Sequence, residues 1–127
     1  MVDPLIEDAV AIVPVEDVAR SVDFYVRTLG FEQRMLSDDR TFATVVHGEA
    51  AIHFIGPADE AALQATRSNI AIYLWVKGVD ALYDRLQAKL EPLPEGRVRA
   101  PFDQPYGMRE FHVKDPDGCL LFFGEPL

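Results

Sequence analysis

Two stretches of the chain carry apolar residues at the spacing of an amphipathic helix. The first predicted helix begins after Asp17, a suitable N-cap residue, and ends before Gly30, which suits a left-handed C-cap. Its apolar stripe consists of Val18, Val22, Tyr25 and Leu29. The stripe of the second predicted helix consists of Val79, Leu82, Leu86 and Leu90. Each stripe is suited to cover one face of a sheet. A shorter helical turn is predicted from Asp59 to Thr66.

Strand-like segments surround these helices in an order that occurs twice. The predicted strands cover residues 9–15, 31–36, 41–47, 50–55, 69–76, 97–99, 108–113 and 119–123. Residues 91–105 hold four prolines, so this segment is interpreted as one short strand between two loops. Asp115-Pro116-Asp117-Gly118 is typical of a type I turn between the last two strands.

The two halves therefore share the order β-α-β-β-β and are joined by the short helix. Residues 15–18 align with residues 76–79, and residues 51–54 align with residues 120–123. The pattern predicts an α+β fold of two tandem βαβββ modules, which form a curved, partly closed sheet around a cleft. We expect a single domain over residues 1–127, with module one at about 8–56, a linker helix at about 58–67 and module two at about 69–124.

The composition limits the kinds of partner that the chain is expected to bind. The formal net charge is −9, which disfavours binding to nucleic acid and suits either a cationic ligand or simple solubility. The chain has one cysteine, so no internal disulfide is expected, in keeping with a reducing cytoplasm. The first eight residues lack the features of a signal peptide, and no apolar run reaches the ~20 residues that span a bilayer. We expect a cytoplasmic protein without a membrane partner.

Two longer segments resemble a known family over nearly the whole chain. They are residues 14–25 with 29–32, and residues 109–122, which include the Asp-Pro-Asp-Gly turn. Together they are similar to the vicinal-oxygen-chelate superfamily, which includes glyoxalases, bleomycin resistance proteins and dioxygenases. The resemblance implies paired βαβββ modules. It also implies a homodimer whose clefts are shared between chains.

The same resemblance implies where a metal would bind. The ligand positions of the metal enzymes in this superfamily fall on Val10, His53, Ala71 and Phe122. Of these four, only His53 has a side-chain atom that can coordinate a metal. Most catalytic metal sites need three or more protein ligands. The chain therefore resembles the metal-free, bleomycin-resistance-like branch, and we expect neither a metal nor another cofactor.

Strand alternation predicts which side chains face the cleft. The candidate ligand contacts are Tyr73, Trp75, Met108, Phe122, Glu110, His112 and His53, with Phe102 and Tyr106 closing over them from the preceding loop. Aromatic walls bind flat or cationic ligands. The alternative is that these rings fill the interior or a dimer interface. Glu110 is also the candidate general base, or else forms a salt bridge with Arg109 or Arg99.

Three functional hypotheses follow. The first, favoured by the resemblance, is a non-catalytic protein that binds and sequesters a small cationic or aromatic antibiotic. The second is a metal-free lyase or isomerase that uses Glu110 or a histidine as its base. The third is a metal-dependent enzyme of the glyoxalase or dioxygenase type with an unusual ligand set, such as His53, His112 and Glu110.

Overall fold

The elements follow the predicted order in a computed structural model, which describes residues 3–127. Residues 1 and 2 of the expected domain lie outside the described range. The first module comprises β1 (Ala11–Pro14), α1 (Val18–Arg27), β2 (Glu32–Leu36), β3 (Phe42–His47) and β4 (Ala50–Ile55). A connecting helix, α2 (Glu60–Asn69), leads to the second module. That module comprises β5 (Ala71–Trp75), α3 (Val79–Leu90), β6 (Val98–Asp103), β7 (Met108–Lys114) and β8 (Leu120–Pro126).

The strands form two four-stranded sheets of the same topology. Their orders are β1-β4-β3-β2 and β5-β8-β7-β6. In each sheet the first strand pairs in parallel with the last strand of its module, and the other pairs are antiparallel. Strands β1 and β5 are therefore edge strands, each paired on one side within residues 3–127. This repetition confirms the predicted βαβββ modules.

Local sequence explains how the two long helices begin. The side chain of Asp17 accepts a hydrogen bond from the backbone N–H of Arg20 at 3.2 Å, as expected of an N-cap. Helix α3 instead follows Gly78, whose φ of 82° favours glycine. The carboxylate of Glu125 accepts from the N–H groups of Gly78 and Val79, so a side chain of β8 caps this helix.

Strand β6 differs most from the sequence-based expectation. It extends from Val98 to Asp103 and includes Pro101, whereas the proline-rich composition predicted a strand of only three residues. Proline is tolerated because β6 is an edge strand, where a missing N–H need not break a ladder. The pairing with β7 also shifts register between Arg99 and Phe102, which accommodates the proline at an irregularity.

One hydrophobic core joins the two modules. It includes Val13 and Phe54 of the first module together with Phe111 and Leu121 of the second, all fully buried. The predicted stripe of α1 lies within this core, and Leu82 of the α3 stripe packs against it as a half-buried residue. No helix within residues 3–127 has both the length and the apolar character needed to cross a membrane.

Polar contacts also tie α1 to the turn between β7 and β8. The hydroxyl of Tyr25 donates to Asp115 Oδ2 at 2.8 Å in a buried setting. Arg20 donates to Asp117 Oδ1 at 2.8 Å. The helix of the first module is thus fixed to a hairpin of the second, which holds the two sheets in one body.

Candidate ligand-binding site

Alternation along the strands of the second sheet separates a core side from an open side. On β5, Ile72 and Leu74 pack against the core, so Tyr73 and Trp75 point the other way. On β8, Leu121 and Phe123 are buried, and Phe122 lies on the open side. The predicted division between core residues and cleft residues therefore describes this sheet correctly.

A row of rings crosses the open side of all four strands of this sheet. We call it the aromatic wall, and it consists of Trp75, Tyr73, Phe122, His112 and Phe102. Neighbouring ring centroids in the row lie 4.3 to 5.7 Å apart. Tyr73 and Phe122 are stacked with an interplanar angle of 21°. The guanidinium carbon of Arg99 lies 3.5 Å from the ring centroid of Phe102, which extends the row with a cation.

Glu110 lies beneath this wall, fully buried, and accepts hydrogen bonds from four side chains. The hydroxyls of Tyr73 and Tyr106 donate to Oε2 at 2.8 and 2.6 Å. His112 Nε2 and Gln104 Nε2 donate to Oε1 at 2.8 and 3.0 Å. Sequence reasoning missed Gln104, because its loop folds back over β7 and no local pattern indicates that contact.

These contacts determine the ionisation of Glu110. Burial acts to raise its pKa, but the hydrogen bonds from Tyr106, His112, Gln104 and Tyr73 outweigh it and lower the pKa from 4.5 to about 2. A carboxylate held this strongly is a poor proton acceptor near neutral pH. Glu110 is fully buried, and its side chain holds the groups that surround it. Its roles as general base or ligand contact stay predictions.

Gly124 is a second residue of the site that sequence reasoning missed. It pairs with Trp75 on one side and with Glu110 on the other, so the side chain of Tyr73 crosses it to reach Glu110. A Cβ atom at this position would overlap the Tyr73 hydroxyl and ring. Only glycine leaves room for that hydrogen bond across three strands.

The remaining predicted contacts occupy different places. Met108 lies half-buried on the same side of β7 as Glu110, at the start of the strand. Tyr106 is 60% exposed and reaches the site through its hydroxyl. His53 belongs to the first sheet, where its ring packs edge-on against Phe42 at 5.2 Å. The structure of this chain therefore brings His53 to a separate surface and not to the aromatic wall.

The open side of the first sheet forms that separate surface. A hollow of about 600 Å³ lies there, and its lining includes the carboxylates of Glu7, Asp8 and Glu49 together with Arg34 and His53. Its polar, acidic character contrasts with the rings of the second sheet. The chain thus presents two open sheet faces of different chemistry.

The residues do not fit a resident metal ion. At the four positions where the metal enzymes carry ligands, the side chains of Val10, Ala71 and Phe122 have no donor atom. Across residues 3–127, no three or more His, Cys, Asp or Glu side chains are grouped so that they could hold a metal. The contact between His112 and Glu110 is a hydrogen bond between two side chains of β7.

Comparisons with known proteins agree with this architecture. Residues 8–123 match the family model of the Glyoxalase/Bleomycin resistance protein/Dioxygenase superfamily. A bleomycin resistance protein of Geobacillus stearothermophilus is 28% identical, covering 87% of this chain and 89% of its own. A bleomycin-binding protein of Streptomyces verticillus, solved with copper(II)-bleomycin, is 30% identical with a TM-score of 0.74 and 97% coverage of both chains. A second bleomycin-binding protein, solved with bleomycin, shares the fold at 21% identity, with a TM-score of 0.75, covering 96% of this chain and 100% of its own.

Proposed function

The chain belongs to the Glyoxalase/Bleomycin resistance protein/Dioxygenase superfamily, in its bleomycin-resistance-like branch, and on this premise we propose that it binds and sequesters a small-molecule antibiotic. The ligand class is a compound that has flat rings and a cationic group, of which the bleomycins are the first to test. The observation that carries the proposal is the aromatic wall across the second sheet.

The wall suits flat rings because its own rings are held in place. Tyr73 is stacked on Phe122 and is tied to Glu110, so its ring is already ordered before a ligand arrives. Pre-ordering lowers the entropy cost of binding. Trp75, at the end of the row, is 73% exposed and therefore free to stack on a ligand.

Charge supports the cationic part of the ligand. The chain carries 21 acidic residues against 12 Lys and Arg, so its field attracts cations in general. Locally, the hollow on the first sheet presents Glu7, Asp8 and Glu49. A ligand with an aromatic end and a cationic end would match the two open faces if both contributed to one cleft.

A homodimer would bring the two faces together, and we include it in the proposal. Trp75 on edge strand β5 and Ile12 on edge strand β1 are 73% and 58% exposed, and both lie on the open sides of their sheets. Apolar exposure of this kind at unpaired edges is typical of an interface. In the proposed dimer, the first sheet of one copy faces the aromatic wall of the other.

The cytoplasm is the proposed location. Cys119 is a free thiol, fully buried, and burial raises its pKa to about 12. A thiol of this kind stays protonated and unreactive, and it needs no oxidising compartment.

Fluorescence tests the antibiotic proposal directly, because Trp75 is the only tryptophan of the chain. Titration with metal-free bleomycin and with copper(II)-bleomycin is expected to change Trp75 emission in a saturable way, with the affinity checked by calorimetry. Phe122→Ala removes the ring on which Tyr73 stacks and is expected to weaken binding about tenfold or more. Mass spectrometry of the recovered drug is expected to show no chemical change.

Phe24→Ala is the matched control. Phe24 is also a half-buried ring, but it lies on α1 and packs on Tyr25 and under Arg97, away from the wall. The proposal is wrong if neither form of bleomycin binds, or if both substitutions weaken binding equally. Turnover of the drug would instead favour the enzyme hypothesis.

A further inference from the structure

A second cavity lies between the two modules, beside edge strand β5. Its volume is about 470 Å³, which is within the usual range for small-molecule sites. One side is formed by Leu29 and Phe31, just beyond helix α1. The opposite side is formed by β5 and by one face of α3.

Small residues of helix α3 create this space. The small residues are Gly78, the N-cap of α3, and Ala81, and they line the cavity together with Leu82 and Arg85 at positions that recur on one face of a helix. An added Cβ at Gly78 would meet only the Ala81 methyl, at 3.7 Å. Larger side chains at these positions would close the gap between the modules. Their absence leaves a hollow with mostly hydrocarbon walls.

The charged side chains that line the cavity are both basic, although the carboxylate of Glu125 caps Gly78 nearby. Lys77 and Arg85 line the cavity, and none of its lining residues is an aspartate or glutamate. This is unexpected in a chain where acidic residues outnumber Lys and Arg by 21 to 12. Within residues 3–127, neither Lys77 nor Arg85 takes part in an ion pair, so both remain available to an anion.

We propose that this cavity is a binding site for a small organic anion with an apolar body, such as an aryl sulfonate or an alkyl carboxylate. The body would occupy the space beside Leu29, Phe31 and Leu82. The anionic group would face Arg85 and Lys77, whose charges compensate its loss of water. The site differs from the aromatic wall in charge and in location, although Tyr73 and Trp75 border both.

Binding of 8-anilinonaphthalene-1-sulfonate to the full chain tests the proposal, since its emission rises in apolar surroundings. We expect saturable binding at one site per chain and displacement by octanoate. Arg85→Gln is expected to weaken binding by about twofold to fivefold, the range for one exposed ion pair. Ala81→Phe is expected to abolish it, because the added ring occupies the cavity.

Two matched controls lie on the same helix. Lys89→Gln removes one positive charge, as Arg85→Gln does, and Ala88→Phe adds one phenyl ring, as Ala81→Phe does. Both control positions are exposed on α3 and do not line the cavity. Both are expected to leave binding unchanged. The proposal is overturned if the wild-type chain shows no saturable binding, or if each control weakens binding as much as its partner does.

The test is independent of the antibiotic proposal. Arg85→Gln is expected to leave bleomycin binding intact, and Phe122→Ala is expected to leave sulfonate binding intact. Loss of bleomycin binding alone would therefore contradict the proposed function without touching this site. Parallel loss of both ligands in Arg85→Gln would show that the cavity and the wall are one site, and the inference would fall.

Discussion

Glu110 is the residue on which the geometry of the aromatic wall depends. A buried carboxylate is costly unless its oxygens are fully hydrogen-bonded, and here four donors surround it. Two of these donors, Tyr73 and His112, are themselves rings of the wall. The free-energy cost of burying one charge is thus offset by contacts that also order the aromatic wall.

Substituting Glu110 by glutamine is expected to reduce the free energy of unfolding at pH 7 by about 2–4 kcal/mol, because the amide nitrogen would face donors and not acceptors. The folded-state pKa of Glu110 is lowered to about 2, so its stabilising contribution is complete above pH 4.5 and is lost as the pH falls toward 2. Urea unfolding at a series of pH values should therefore show the wild type and Glu110→Gln converging in acid. A difference that stays constant with pH would contradict this.

A second prediction concerns Gly124. Gly124→Ala is expected to destabilise the fold by about 1–3 kcal/mol, because the new methyl group overlaps the Tyr73 side chain. A double-mutant cycle with Tyr73→Ala isolates the cause. In the Tyr73→Ala background, Gly124→Ala should lower the free energy of unfolding much less. Additive losses would show that the overlap is not the reason.

Sequence reasoning identified the side on which Glu110 lies but not all of its hydrogen-bond partners. Alternation on β7 correctly separated it from buried Phe111, since period-two patterning depends only on neighbouring residues. Two of these partners, Gln104 and Tyr106, approach from the loop before β7. The path of that loop follows from its contacts with β7, which no local pattern encodes.

Among the elements, the turn between β7 and β8 has two functions. It closes a hairpin through the hydrogen bond from Gly118 N to Asp115 O at 2.9 Å. The Asp115 carboxylate also accepts from the Tyr25 hydroxyl and from the N–H groups of Asp117 and Cys119. A turn that sequence analysis predicted from its propensities is thus also the contact point for the helix of the other module.

Tyr25→Phe tests this contact. It removes one donor from a buried carboxylate and is expected to lower the free energy of unfolding by about 1–3 kcal/mol. Tyr83→Phe is the control, because Tyr83 packs on Phe111 but its hydroxyl has no hydrogen-bond partner within the described residues. Denaturant unfolding of both variants gives the comparison. Equal effects would mean that the hydroxyl contact contributes nothing.

Helices were easier to predict than strands here. The start of α1 was encoded locally by Asp17 and by a regular stripe, and both agree with the structure. The extent of strand β6 was not encoded locally. Prolines would exclude a central strand, but they are acceptable at a sheet edge. Whether a strand lies at an edge is a property of the whole sheet.

At the scale of the whole molecule, the two modules turn their helices and cores toward each other. The buried residues of both form one cluster, whereas both open sheet faces remain accessible. In an isolated chain, each open sheet face therefore forms only one side of a cleft. In the proposed homodimer, the partner chain supplies the other side.

Sedimentation velocity checks this proposal. The wild-type chain is expected to sediment as a dimer at micromolar concentration, and Ile12→Glu should shift it toward the monomer, because a charge cannot be buried unpaired at the interface. Leu127→Glu is the control at another exposed apolar residue, 71% exposed. A monomeric wild type, or equal effects of both substitutions, would contradict the proposed dimer.

The division of each strand between core and open side has a consequence for how such a scaffold changes over generations. We expect the fold to tolerate exchange of Trp75 and Phe122, because Leu74 and Phe123, their neighbours in sequence, face the core. If the aromatic wall binds ligand as proposed, single replacements there are expected to change which compounds are recognised and to leave folding nearly unchanged. Glu110 and Gly124 are the exceptions, since a change at either one alters the surface and the fold together.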